Sequence, residues 1–315
     1  MKNKTAITIS LISLIAIIIF SLLIGSVKVN IFSISEIGKN ILFNIRIPRI
    51  LLGLIAGMVL ATSGGILQGM LNNPLAEPYL LGISSGAALG SIVALVIQKV
   101  FLMPVLGFMG ALLTMFLVWH LAKSKNSIQR TKLILAGIII NLFFSAIIAL
   151  LMSIFQRDIS QIFSILMGNL GYIFSRDNIH ILWIISIVSV GGIVFINLYS
   201  NRLNILTMGD YTANSLGVDV QKTRKLLFVL SSVLVGIVVA FTGIIGFVGL
   251  IIPHICRMII GPNNRYLLPM SGILGAAFLL LCDTIARSLF VIELPVGVVT
   301  ALCGAPFFIY LLRKK

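Results

Sequence analysis

Few side chains in this sequence can do chemistry, and their spacing excludes most of it. The 315 residues hold 3 histidines, 3 cysteines and 8 carboxylates against 23 lysines and arginines. His120, His180 and His254 lie far apart, without the H-E-x-x-H spacing that sets two imidazoles on one helical face around zinc. No catalytic set, metal site or cofactor is expected, and His254 is read as a structural hydrogen-bonding residue. Cys256, Cys282 and Cys303 sit singly inside apolar runs, where a thiol acts as a small hydrophobe rather than a disulfide or metal partner. Ser63-Gly64-Gly65 lacks the Lys-Ser/Thr of a phosphate-binding loop, so any ATP must be hydrolysed by another chain. That leaves three arginines. Arg46 and Arg49 bracket Pro48, which biases Ile47 toward an extended backbone that would hold both guanidiniums outward. With Arg287 they suit bidentate contact with carboxylates of another protein. Arg287 has a second option in Asp283, one helical turn away.

The elements that must position these groups are membrane spans. Hydrophobic residues make up 59% of the chain, charged ones 10%, and the mean hydropathy is +1.16, too little polar surface for a soluble domain of this size. The net charge of +15 is scattered between apolar runs, without the basic face that nucleic acid requires. Ten spans are expected, near 6–27, 50–71, 80–97, 101–122, 133–155, 179–198, 226–245, 247–260, 267–290 and 296–312. The first is too long for a signal peptide and has no cleavage site after it. The eighth, cut by Pro253, is too short for an ordinary crossing. With the amino terminus inside, 15 of the 23 cationic residues fall on the inner side and 8 outside, which predicts two cytoplasmic termini. Arg46, Arg49 and Arg287 fall outside, against that bias. The segment 156–178 is expected to carry a short surface helix. In the polar loop 201–225, Thr207 can cap a short helix, Leu216-Gly217 can stop it, and Asp219 can start the next turn. Lys222, Arg224 and Lys225 then anchor at the headgroups. At a constant offset of 179, Ala61, Ser63, Gly64, Pro74 and Gly82 align with Ala240, Thr242, Gly243, Pro253 and Gly261, the pattern of an inverted repeat relating spans two to five to spans seven to ten. An ion-coupled transporter would need an ionisable group near the midplane; Asp283 is the one candidate, and Arg287 supplies a structural reason for it.

Arg46-x-Pro48-Arg49, Gln68-Gly69, Asn73-Pro74-Leu75-Ala76-Glu77-Pro78 and Leu81-Gly82-Ile83-Ser84-Ser85-Gly86 closely resemble the permease subunits of type II ABC importers, the FecCD-type family that carries iron-siderophores, haem or cobalamin. The likeness resumes at Leu135-Ala136-Gly137, Gly209-Asp210, Leu216-Gly217-Val218, Gly246 through His254 and Glu293 through Gly297, and so covers nearly the whole chain. It implies an all-α, ten-span fold in a bacterial cytoplasmic membrane. The implied partners are two ATP-binding cassette subunits, an extracytoplasmic binding protein and a second permease, identical or sister. Met208, Gly209, Asp210, Ala213, Leu216, Gly217 and Val218 would form the loop that docks on the ATPase, and Arg46, Arg49 and Arg287 would meet the binding protein. Gly137, Asn141 and Ser145 on span five and Gly297, Thr300 and Gly304 on span ten would line the path, although small residues serve helix packing equally well. Gln129, Arg130 and Thr131 fall at the family's cytoplasmic gate without its run of small hydroxyls. Iron-siderophore is the expected cargo, with haem or cobalamin as alternatives.

Overall fold

The computed structural model describes residues 2–25, 36–124, 127–174, 178–289 and 293–313. Residues 175–177 of the segment 156–178 lie outside these. The described residues are almost entirely helical: α1 (Lys2–Leu23), α2 (Glu36–Ile41), α3 (Ile47–Leu71), α4 (Ile83–Val96), α5 (Met103–Ala122), α6 (Arg130–Ile154), α7 (Ile159–Met167), α8 (Ile179–Asn197), α9 (Ser200–Thr207), α10 (Asp210–Ser215), α11 (Val220–Thr242), α12 (Val248–Ile260), α13 (Asn264–Ser288) and α14 (Val296–Arg313). Seven helical stretches, those holding α1, α3, α5, α6, α8, α11 and α13, are long and apolar enough to cross a bilayer, and α4, α12 and α14 are shorter apolar helices. Together they make the ten expected spans. Large apolar side chains such as Ile12, Met109, Phe116, Leu142, Ile184 and Ile187 stand exposed on α1, α5, α6 and α8. A soluble protein does not leave such faces bare.

Span two begins earlier than the sequence suggests. A π-turn, Leu42–Arg46, joins α2 to α3, and Ile47 is helical (φ −61°, ψ −48°) rather than extended. Pro48 sits in the first turn of α3, where its missing N–H costs little, and the wider π-turn gives its ring room.

The core is built by backbone approach. A Cβ on Gly64 would lie 1.9 Å from the Gly249 carbonyl oxygen, and one on Gly57 would lie 2.2 Å from that of Gly275, so α3 meets α12 and α13 without intervening side chains. Helix contacts come in matched sets. α3 packs on α13 as α11 packs on α5; α12 lies on α3 as α4 lies on α11. The offset of 179 does not follow these elements, because it pairs Ser63, in the middle of α3, with Thr242 at the end of α11. The links differ in length, residues 72–82 after α3 against 243–247 after α11, so no gapless register exists.

Candidate functional site

Three polar clusters stand out, one at each end of α3 and one between. At its amino end the three arginines converge, but inward. Arg46, Arg49 and Arg287 are only 4%, 8% and 4% exposed, which corrects the expectation of outward guanidiniums. Arg49 clasps the fully buried Asp283 (2.9 Å, Nη2 to Oδ1) and reaches Glu293 with Nη1 (2.9 Å). Arg287 pairs with the other Asp283 oxygen (3.4 Å) and donates to the Ser21 hydroxyl (2.7 Å). Arg46 donates to the Leu22 carbonyl (2.8 Å). Thus Arg46 and Arg287 neutralise the carbonyl end of α1, and Asp283 neutralises the pair of guanidiniums flanking it. Beside them a cleft of about 250 Å³ is lined by Asn44, Arg49, Tyr172 and Glu293. The Arg49–Glu293 pair forms part of its wall.

The other end of α3 meets α9, where Asn72 donates to the Thr207 carbonyl (3.2 Å). Thr207 closes α9 by donating to the Asn204 carbonyl (2.6 Å) and does not cap α10, whose N-cap is Gly209 (φ +110°). The left-handed stop falls at Gly217 (φ +78°), as the sequence indicates. Met208, Tyr211 and Leu216 are 65%, 88% and 58% exposed on this short element, while Ala213 and Val218 anchor it. Asp219 caps α11 through the Lys222 N–H (3.0 Å), and that bond, with the Lys222 ammonium, holds its carboxyl below the usual range. Arg224 is not a headgroup anchor. It is fully buried and grips both oxygens of Asp210 (2.8 and 3.0 Å). Arg130 takes Asp210 from the other side. Burial opposes ionisation of Asp210, but Arg224 and Arg130 outweigh it and hold the carboxyl below its ordinary value. The sign follows: this stabilisation is complete above the unfolded Asp pKa of about 3.9 and is lost only as pH falls through the lower folded value.

Between the ends lies a cavity of about 690 Å³. α6 contributes Asn141 and Ser145, α14 contributes Gly297 and Ala301, and the two links contribute Leu75, Glu77, Tyr79 and Phe247. The Asn141 amide oxygen is buried without a hydrogen-bond partner. Glu77 accepts the N–H of Phe247, a non-glycine residue held at φ +68° where α12 begins. Gly137, Thr300 and Gly304 do not line the cavity. A Cβ on Gly137 would lie 2.7 Å from the Leu80 carbonyl oxygen and one on Gly304 would lie 2.4 Å from the Phe247 ring, while Thr300 is 0% exposed with its hydroxyl on the Gly297 carbonyl. Gln129 is exposed and Thr131 borders it at the start of α6, clear of the cavity wall. His254 packs edge-on to Phe307. Among the described residues no group of three or more metal-binding side chains occurs.

The sequence profile of the FecCD transport family matches residues 13–314. This chain belongs to the FecCD transport family. It is 40% identical over 286 residues to the cobalamin import system permease protein BtuC of Halobacterium salinarum, covering 90% of this chain and 76% of that one. It is 39% identical to the hemin transport system permease protein HmuU of Yersinia pestis, covering 88% and 84%. Among solved structures, a metal-chelate type ABC transporter in an inward-facing conformation superposes with a TM-score of 0.88 at 34% identity, covering 99% and 100%. The chain is therefore an ABC importer permease, a multi-span membrane protein of a family of transporters rather than enzymes. For this FecCD permease, the residues that sequence reasoning missed are Glu77, Phe247, Arg224, Asp283 as the partner of Arg49, and Glu293. Glu77 and Glu293 were visible as single acids inside apolar motifs, and Arg224 as the middle cation of Lys222-x-Arg224-Lys225. Their partners lie too far along the chain to be read.

Proposed function

We propose that this permease moves a bulky metal chelate, in first choice an iron(III)-siderophore, from an extracytoplasmic binding protein into the cytoplasm, with two ATPase subunits docked on Met208–Val218. The observation that carries this reading is the cavity. It is wide and mostly apolar, with a few polar contacts from Asn141, Ser145, Tyr79 and the Glu77 carboxyl, which suits a bulky, largely apolar cargo. The bare apolar residues Met208, Tyr211 and Leu216 support α10 as the knob that enters a groove of the ATPase. The matched helix contacts support two inverted halves, spans two to five and seven to ten. The exposed apolar face of α6 supports pairing with a second permease, and the cation bias supports both termini in the cytoplasm. Docking of the binding protein is assigned to the arginine cluster, entered through the cleft beside Arg49, where an incoming carboxylate displaces Glu293. An ion-coupled mechanism through Asp283 is disfavoured because that acid is clamped between two arginines.

Haem and cobalamin form the second reading, favoured by the names of the two relatives. The test is ATP-driven uptake by the permease reconstituted with its ATPase and binding protein in liposomes, offering a ferric siderophore, haem and cobalamin in turn. Uptake of the ferric siderophore alone supports the first choice, uptake of haem or cobalamin replaces it, and uptake driven by a proton or sodium gradient without ATP defeats the proposal.

A further inference from the structure

The cytoplasmic cluster contains a connection that docking does not require. Asp210 is the first residue of α10, Arg130 the first of α6, and Arg224 lies in the first turns of α11. One carboxylate thus joins three helices. The turn leading into α6 is tied down as well, because Arg224 donates to the Ile128 carbonyl (2.9 Å) and the Ile128 N–H donates to Gln221 of α11 (3.0 Å). Arg130 also reaches the Leu206 carbonyl at the end of α9 (3.3 Å). α10 itself is flanked by Gly209 and Gly217, both left-handed and both with open space around them. Between these two hinges α10 is held by the buried Ala213 and Val218 and by this cluster, and without the cluster a push on it would be absorbed locally rather than passed to α6.

We propose that Arg130, Asp210 and Arg224 form an ionic joint that makes α10 and the amino end of α6 one moving body, so that displacement of α10 reaches the helix carrying Asn141 and Ser145. The joint rests on the reading of α10 as the ATPase dock. Arg224 is the part that keeps it closed: a fully buried guanidinium stripped of its carboxylate is far costlier than a surface pair, so the cluster moves intact in preference to opening. Arg130, more accessible, is the part that carries the motion into α6. It acts as a positioning residue, since it touches neither cargo nor nucleotide.

The test uses the complete importer in liposomes. In Arg130→Met, ATP hydrolysed per chelate imported rises about fivefold or more, the low end of ordinary coupling energies, and Arg130→Lys restores the wild-type ratio. A merely structural role would lower uptake and hydrolysis together and leave the ratio fixed, which would overturn the joint. A second measurement does not depend on that variant folding. Spin labels on Gln129→Cys and Ser215→Cys, in a Cys303→Ser background, keep one distance distribution between nucleotide-free and ATP-trapped importer. A shift of that distribution between the two states means that α10 and α6 move separately and sinks the proposal. Failure of Leu216→Cys to cross-link to the ATPase would instead remove the docking reading, and the joint's role with it.

Discussion

Asp283 is a residue whose surroundings decide its worth. It is wholly buried and carries two guanidiniums, Arg49 and Arg287. Asp283→Asn keeps the shape but leaves both cations buried without their common counter-charge, so a loss of about 3–5 kcal/mol is expected. Glu293→Gln removes an exposed partner of the same Arg49, and its cost should stay below about 1 kcal/mol. Thermal unfolding of the purified permease in detergent compares them, and equal midpoints for the two variants would refute the burial difference. This pair also marks where sequence reading stops. Arg49 and Glu293 are each visible as charges in motifs, but their contact spans 244 residues of chain. Arg287–Asp283 was legible because both lie on one helix, one turn apart.

Among the elements, the ten spans were readable because an apolar run of sufficient length has one stable state in hydrocarbon. α4 and α12 were placed within a few residues, and α7 was foreseen in its loop. The π-turn before Pro48 was not, since it depends on how α2 and α3 join rather than on composition. Small residues were the harder case. Asn141, Ser145 and Gly297 reach the cavity, whereas Gly137 and Gly304 are spent on close contact with the two links and Thr300 on its bond to Gly297, and no spacing rule separates the two uses. Close approach is itself testable. Gly64→Leu must push α3 from the α12 backbone and should cost about 3 kcal/mol or more, while Gly191→Leu on α8, with nothing within 4 Å, should be near neutral. Equal unfolding temperatures for these variants would show that α3 and α12 do not meet backbone to backbone.

At the scale of the whole molecule an apolar hollow lies among the packed helices, and solvent access distinguishes hollow from wall. Cysteines replacing Asn141, Ser145 and Ala301 should react with a water-soluble thiol reagent in a manner that changes with ATPase state, whereas Thr300→Cys and Ile187→Cys, on the exposed apolar face of α8, should stay slow. The exposed thiol of Cys303 must be replaced first. Uniform labelling across all five positions would remove the hollow from the pathway. The short helices beside it carry an electrical consequence. α4 and α12 hold 14 and 13 residues, each about 20 Å of helix against a hydrocarbon core of about 30 Å. Water entering the hollow would thin the insulation further beside the links that line it, around Glu77 and Phe247. Membrane voltage drops across whatever insulates, so the potential concentrates there, at about 2.3 kcal/mol per elementary charge per 100 mV. On the proposed function, the net charge of a chelate would be felt chiefly in the step past these links, where an anionic cargo entering a negative interior would work against the potential.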